Sequence, residues 1–311
     1  MPFFSVIITV YNKEKYIFDT IQSVLNQDFS DFEVIIVNDG SKDASEKEIK
    51  KFTDKRIHYY STPNNGASDA RNFAVEKSNT DYLCFLDGDD IWETNHLEVL
   101  KGLLITFPNC GIYASRYKLV FKNNKTLVPE FQGISNDFKG IIEDYFFSSM
   151  NHPVATSSSI MIPKKVFDTL GYFKTTISSG QDTDMWIRIA LQYRIATSNV
   201  VTAKYIHHIE DSLSKTDILS KSILKFNDFI NDEKTNQSLK KYLDKYRKEY
   251  ALKYKMANEN VKSRELFKHI DPKNIDFKYQ LIYNLPTFIL NFLLKTKQFL
   301  RSMGIDFNVY K

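Results

Sequence analysis

The N-terminal third of the chain repeats one pattern: a short apolar run, a turn rich in Asn, Asp and Gly, then apolar residues at helical spacing. Residues 4–10, 33–38, 57–61 and 82–86 read as buried strands, because each is short and β-branched or aromatic. Several end at turn signals, among them Asn38-Asp39-Gly40-Ser41 and Asp87-Gly88-Asp89. Between the first two strands, Ile17, Ile21, Val24 and Leu25 form one helical stripe; between the last two, Ala70, Phe73 and Ala74 form another. Such alternation predicts an α/β fold, a mostly parallel nucleotide-binding sheet flanked by helices. Ligands of these sheets bind outside the carboxyl ends of the strands, where the acidic turns lie.

Beyond the fourth strand the pattern loosens. Residues 112–121 and 157–163 read as strands and residues 182–191 as a helix. From about Lys215 the chain becomes rich in Lys, Asn and Tyr with helical spacing only. The expected organisation is a catalytic domain over 1–214 and a helical C-terminal extension over 215–311.

Charge and composition remove several classes. A net charge of +4 over 311 residues lacks the dense basic patch of a nucleic-acid binder. Cys84 and Cys110 do not make a metal-ligand spacing, and two isolated cysteines suit a reducing compartment. The N-terminus shows no signal-peptide pattern, and no apolar run reaches the roughly 20 residues of a membrane span. A cytoplasmic protein is the expectation.

The chain has neither a Gly-x-Gly-x-x-Gly loop nor a Gly-x-x-x-x-Gly-Lys-Ser/Thr loop. A bound diphosphate would therefore need another counter-charge. Asp87-Gly88-Asp89-Asp90 offers carboxylates two apart at a strand end, oxygen ligands that suit Mg²⁺ or Mn²⁺. Read alone, the same segment is more often an acidic turn in a solvated loop.

Four segments, in order and in register, resemble the family 2 glycosyltransferases. They are Ser5-Val6-Ile7-Ile8-Thr9-Val10-Tyr11-Asn12, Val37-Asn38-Asp39-Gly40-Ser41, Asn65-Gly66-Ala67-Ser68-Asp69-Ala70-Arg71-Asn72 and Phe85-Leu86-Asp87-Gly88-Asp89-Asp90-Ile91-Trp92. With the later motifs the resemblance runs from Phe4 to Ser214. It implies the glycosyltransferase A-type fold, a nucleotide-sugar donor (a UDP-sugar, as is frequent in the family) and inversion at the anomeric carbon. It places Thr9, Tyr11, Asp39, Arg71 and Asp87 at the donor nucleotide, Tyr11 against the base. It assigns Asp87 and Asp89 to the divalent cation. Asn38 stands where the family usually has Asp, and Gly88 where Ser or Ala is commoner, a change expected to matter little.

Gly180-Gln181-Asp182-Thr183-Asp184-Met185-Trp186-Ile187-Arg188 resembles the family segment whose first Asp is the general base, here Asp182; Gln181 replaces the usual Glu. Without the resemblance, Asp182 and Asp184 would read as complements to a helix N-terminus. Tyr205-Ile206-His207-His208-Ile209-Glu210-Asp211-Ser212-Leu213-Ser214 resembles a segment that makes His208 a third metal ligand.

A glycan or lipid-linked acceptor is the expectation, and a protein acceptor stays open beside it. Residues 281–301 have the composition of an interfacial helix, ending in Lys295, Lys297 and Arg301, which suits peripheral contact with the inner face of a membrane. A helix packed on the catalytic domain or on a second subunit fits as well. Two other functions stay open. A sugar nucleotidyltransferase would want a Gly-rich basic loop after the first strand, where Thr9-Val10-Tyr11-Asn12-Lys13-Glu14 has no Gly. A non-catalytic nucleotide-sugar-binding scaffold would tolerate loss of Asp182, which is present.

Overall fold

The computed structural model describes residues 1–121, 124–206 and 217–302. Strands β1 (Phe4–Val10), β2 (Phe32–Asp39), β3 (Ile57–Thr62) and β4 (Tyr82–Asp87) lie where the apolar runs predict, each within a residue or two. They pair in parallel in the order β3-β2-β1-β4. Every residue of β2 is buried, as expected for a strand covered on both faces. Helices α1 (Ile17–Leu25), α2 (Ser45–Ile49) and α3 (Ala67–Lys77) fill the crossovers. Ile17, Ile21 and Val24 of α1 are fully buried, each stabilising the fold by about 1.5–3 kcal/mol relative to exposure.

The second half of the sheet is mixed rather than parallel. After β5 (Ile91–Trp92) and α4 (His96–Thr106) come β6 (Cys110–Val120), β7 (Thr126–Leu127), β8 (Gly140–Ile141), α5 (Tyr145–Ser148), β9 (Ile160–Pro163), α6 (Lys165–Leu170), α7 (Gln181–Gln192) and β10 (Arg194–Ile206). Strand β9 runs antiparallel between β4 and β6. The strand expected over 157–163 starts only at Ile160, because Ser157–Ser159 forms a 3₁₀ turn. There the Ser159 hydroxyl accepts the Thr156 N–H at 3.2 Å.

The 13-residue β10 was not foreseen. Register shifts against β6 around Val201 break its period-2 pattern. Gly111 lets α7 approach β6, since a Cβ there would lie 2.6 Å from Ile189 and Tyr193 side-chain atoms.

The C-terminal segment is helical, as expected: α8 (Asp232–Thr235), α9 (Gln237–Met256), α10 (Asn260–Lys268), α11 (Phe277–Asn284) and α12 (Thr287–Ser302). Leu239, Tyr242, Leu243, Tyr250 and Tyr254 of α9 join the same apolar cluster as the sheet. Asp244, fully buried, is satisfied by Lys240 and Arg247 at 2.8 Å each, the Asp271 N–H at 3.0 Å and the Asn274 amide at 2.8 Å, as a buried carboxylate requires. On α12, Leu290 is buried while Phe288, Phe292, Leu293 and Phe299 are exposed. Among the described residues, no helix is long and apolar enough to cross a membrane.

Candidate functional site

The carboxyl ends of β1, β2 and β4 open into a pocket of about 450 Å³. At the end of β2, the Asp39 carboxylate accepts the N–H groups of Asn65 and Gly66 at 2.8 and 2.9 Å. Burial raises its pKa, and these two hydrogen bonds oppose the rise. Asp39 thereby fixes the loop that enters α3, where Gly66 sits at φ 95° as the cap. Asn38 turns away from the pocket: its amide donates to the Tyr59 hydroxyl at 3.1 Å and its carbonyl accepts the Ser41 N–H at 3.1 Å. An amide supplies both roles where a carboxylate could not donate.

Arg71, on α3, is buried and bridges two carboxylates. It donates to Asp87 at 2.7 Å and to Asp182 at 2.9 Å. The end of β4 and the start of α7 are thus tied by one guanidinium whose fork matches carboxylate geometry. The pairing with Asp69 or Glu76 that a surface helix would suggest is absent from its contacts. Burial raises the Asp182 pKa, Arg71 opposes this, and the Asp87 charge adds to the rise. The Asp182 side chain keeps 35% exposure toward the pocket. Gly180, in the left-handed region at φ 87°, precedes it and starts the helix. Asp184 is different in kind: it is fully buried and held by Lys174 at 2.7 Å and Arg188 at 2.8 Å. It anchors α7 and does not line the pocket.

The acidic loop divides similarly. Asp89 pairs with Lys13 at 2.5 Å; burial raises its pKa, Lys13 lowers it and Asp87 raises it. Asp90 is almost fully buried, accepting the Ser158 hydroxyl at 2.5 Å and the Ile206 N–H at 2.9 Å. Its carboxyl is pushed well above the usual range by burial and by the Asp89 and Asp87 charges. Asp87 and Asp89 both line the pocket and give hard oxygen donors, which suits a cation that completes its shell with phosphate oxygens and water. Among the described residues there is no group of three His, Cys, Asp or Glu side chains able to hold a metal. His208 lies outside the described residues.

Thr9, Tyr11, Asp39, Arg71, Asp87, Asp89 and Asp182 all line this one pocket. Sequence reasoning missed its opposite wall. Tyr246, Glu249, Tyr250 and Lys253 of α9, with Lys221, face the same space. The Tyr250 hydroxyl holds this wall to the loop before α7, lying 3.1 Å from the Ser179 hydroxyl and donating to its carbonyl at 3.2 Å. The only local signal was a Tyr every fourth residue at 242, 246, 250 and 254, which reads equally as a packed helix face.

The glycosyl transferase family 2 model matches residues 5–171, more than half of the 311. An uncharacterized glycosyltransferase of Rickettsia bellii is 32% identical over 219 residues, covering 69% of this chain and 31% of that protein. The putative teichuronic acid biosynthesis glycosyltransferase TuaG of Bacillus subtilis is 43% identical over 129 residues, 40% of this chain and 51% of that protein. The chain therefore spans about a third and about a half of these curated relatives. Among solved structures, S. aureus TarS 1-349 in complex with UDP-GlcNAc matches with a TM-score of 0.68 at 17% identity, over 98% of this chain and 93% of that one. The TarS 1-349 complex with UDP gives 0.57 at 19% identity, over 86% and 90%. That likeness is one of fold.

Proposed function

The chain belongs to glycosyl transferase family 2, and from that premise we propose that it moves a sugar from a uridine diphosphate donor to a hydroxyl of a glycan or lipid-linked acceptor, with inversion. The observation that carries the reading is the Arg71 bridge, which puts the acidic loop and a pocket-facing carboxylate, Asp182, on one guanidinium. TarS, which shares the fold, is described with UDP-GlcNAc and with UDP, and this supports a uridine donor here. Tyr11 and Asp39, at the β1–β2 end of the pocket, are the proposed nucleotide contacts.

In the proposed step the acceptor oxygen forms a bond to the anomeric carbon while the carbon–oxygen bond to the diphosphate breaks. The electron pair leaves with the phosphate, and Asp182 takes the acceptor proton. A carboxylate with a pKa raised by burial is a better base than a solvated one, and such catalysis contributes roughly 10²–10⁴-fold. Arg71 keeps Asp182 oriented and offsets charge near the leaving group. Asp87 and Asp89 are the proposed ligands of Mg²⁺ or Mn²⁺, which when bound supplies electrostatic stabilisation of the departing diphosphate.

Calorimetric titration with UDP, GDP and dTDP, in Mn²⁺ and then in EDTA, tests the donor site. Metal-dependent binding of UDP alone is expected; no binding of any nucleotide would overturn the proposed donor site. The exposed Phe288, Phe292 and Phe299, with Lys295, support a peripheral contact between α12 and an anionic membrane. Anionic-vesicle binding that survives deletion of residues 281–311 would refute that contact.

A further inference from the structure

Asp87 and Asp89, the residues proposed for the cation, are each already paired with a side-chain cation, and the two pairs differ. Arg71 is buried and forked, and it holds Asp87 and Asp182 together. Lys13 instead brings one ammonium to Asp89 at 2.5 Å, with the two side chains 14% and 15% exposed. Its backbone is pinned on both sides: the N–H donates to the Ser45 hydroxyl at 2.7 Å, and the carbonyl accepts the Tyr16 and Ile17 N–H groups at 2.9 Å each. Its neighbours are pinned too. The Asn12 N–H donates to the Ser41 hydroxyl at 3.0 Å, and the Glu14 N–H to the Asp43 carboxylate at 2.9 Å. The freedom left to Lys13 is in its flexible stem, so its ammonium stays within reach of the pocket it lines. In a site this shielded from water, an ammonium and a divalent cation on one carboxylate repel each other strongly, and Asp89 favours one or the other. Lys13 lies two residues past Tyr11, a proposed nucleotide contact, and touches Asp89, a proposed cation ligand. The diphosphate of a donor joins those two positions, and a compact point charge suits its oxygens.

We propose that Lys13 is an exchangeable counter-ion, which neutralises Asp89 while no cation is bound and passes to the donor diphosphate when a divalent cation takes Asp89. Lys13 thereby couples the two ligands: it weakens binding of the cation alone and strengthens binding of the donor once the cation is present. The inference rests on the proposed donor site and adds to it a residue that works by changing partners.

The test uses the full chain as wild type, Lys13→Gln and Lys13→Arg, all at pH 8. Binding of Mn²⁺ alone is followed by the paramagnetic resonance of the free ion, and binding of UDP and of uridine by calorimetry in saturating Mn²⁺. Lys13→Gln should bind Mn²⁺ alone at least about fivefold more tightly than wild type. The same variant should bind UDP at least about tenfold more weakly, with uridine, which has no phosphate, unchanged. Lys13→Arg keeps the charge and should hold both the Mn²⁺ and the UDP affinities within about threefold of wild type. Opposite shifts for the two ligands are the signature, since a lysine that merely braced the loop would weaken both, and uridine with them. Mn²⁺ affinity that is unchanged or lower in Lys13→Gln, while wild type binds UDP in Mn²⁺, overturns the proposal and leaves the donor site standing. So does UDP affinity that Lys13→Gln leaves untouched. Tighter Mn²⁺ binding by Lys13→Gln in a protein that binds no UDP at all would uphold Lys13 as the counter-ion of Asp89 and count against the donor reading.

Discussion

The two walls of the pocket are built by different means. The sheet wall, from β1, β2 and β4, takes its chemistry from contiguous segments: Asp39 and Asp87 are the last residues of β2 and β4, and Tyr11 and Asp89 follow β1 and β4 by one and two residues. The α9 wall takes its chemistry from packing across long separations, as in the bond from Tyr250 to Ser179, 71 residues away. Strand ends fix backbone and side chain together, so a short motif is enough to specify them. A helix docked on that sheet delivers whichever side chains its packing angle turns inward. Asp182 sits at the junction, presented by α7 and held by Arg71 from the sheet side.

The largest expected effect is at that junction. Asp182→Asn should cut transfer by roughly 10²–10⁴-fold while UDP affinity stays within twofold of wild type, as single-turnover kinetics and calorimetry would measure. With Asp182 as the proposed base, the same carboxyl is expected to set the acid limb of the rate. Its raised pKa means that transfer is full above a pH higher than the ordinary carboxylate range and is lost as pH falls through it. A pH–rate profile that stays flat to the ordinary range would remove Asp182 as the base. Asp184 would not replace it, being sealed between Lys174 and Arg188.

Next in size is Asp39→Ala, a test of the sheet wall alone. The Asn65 and Gly66 N–H groups lose a charged acceptor, and hydrogen bonds to charged groups are worth about 1.5–3 kcal/mol each. UDP affinity should fall by at least about tenfold, with acceptor affinity unchanged. Tyr250→Phe tests the other wall. Loss of one neutral hydrogen bond costs about 1 kcal/mol, so acceptor affinity should weaken roughly fivefold while UDP titrations are unmoved. If the two variants affected both ligands alike, the division between the walls would fail.

How much of this was legible follows the same division. The parallel strands and the stripe on α1 were readable because burial on both faces and the 3.6-residue period leave local marks. So was the meeting of Asp39, Asp87, Asp89 and Asp182 around one pocket, through motifs in register. The antiparallel insertion of β9 was not, since a strand's direction in the sheet leaves no trace in its own residues. Strand β10 was hidden by its bulges. The α9 wall was invisible for a further reason: Tyr246 and Tyr250 have the spacing that core packing alone would produce, and only the tertiary structure shows which side faces a cavity. Arg71 lies between these cases. Its place in a motif was plain, but its two partners, 16 and 111 residues away, were not.

The smallest effect, at Gly88, asks how rigid the sheet wall is. The sequence reading treats Gly in place of Ser or Ala as a change of little consequence. In the structure a Cβ at Gly88 would lie 3.0 Å from the Thr9 carbonyl oxygen and 3.4 Å from a Val10 methyl, tight enough to require a small shift. The same carbonyl accepts the Gly88 N–H at 3.2 Å, so the ends of β1 and β4 would have to move together. Gly88→Ala should cost up to about 1 kcal/mol, the low end for overpacking, and lower UDP affinity in Mn²⁺ by no more than roughly fivefold. A loss of that size or less, measured by calorimetry, means the acidic loop adjusts as a loop does. A much larger one would mean that Asp87 and Asp89 are held as firmly as the strands beside them, which would place all the adaptability of this pocket on the α9 wall.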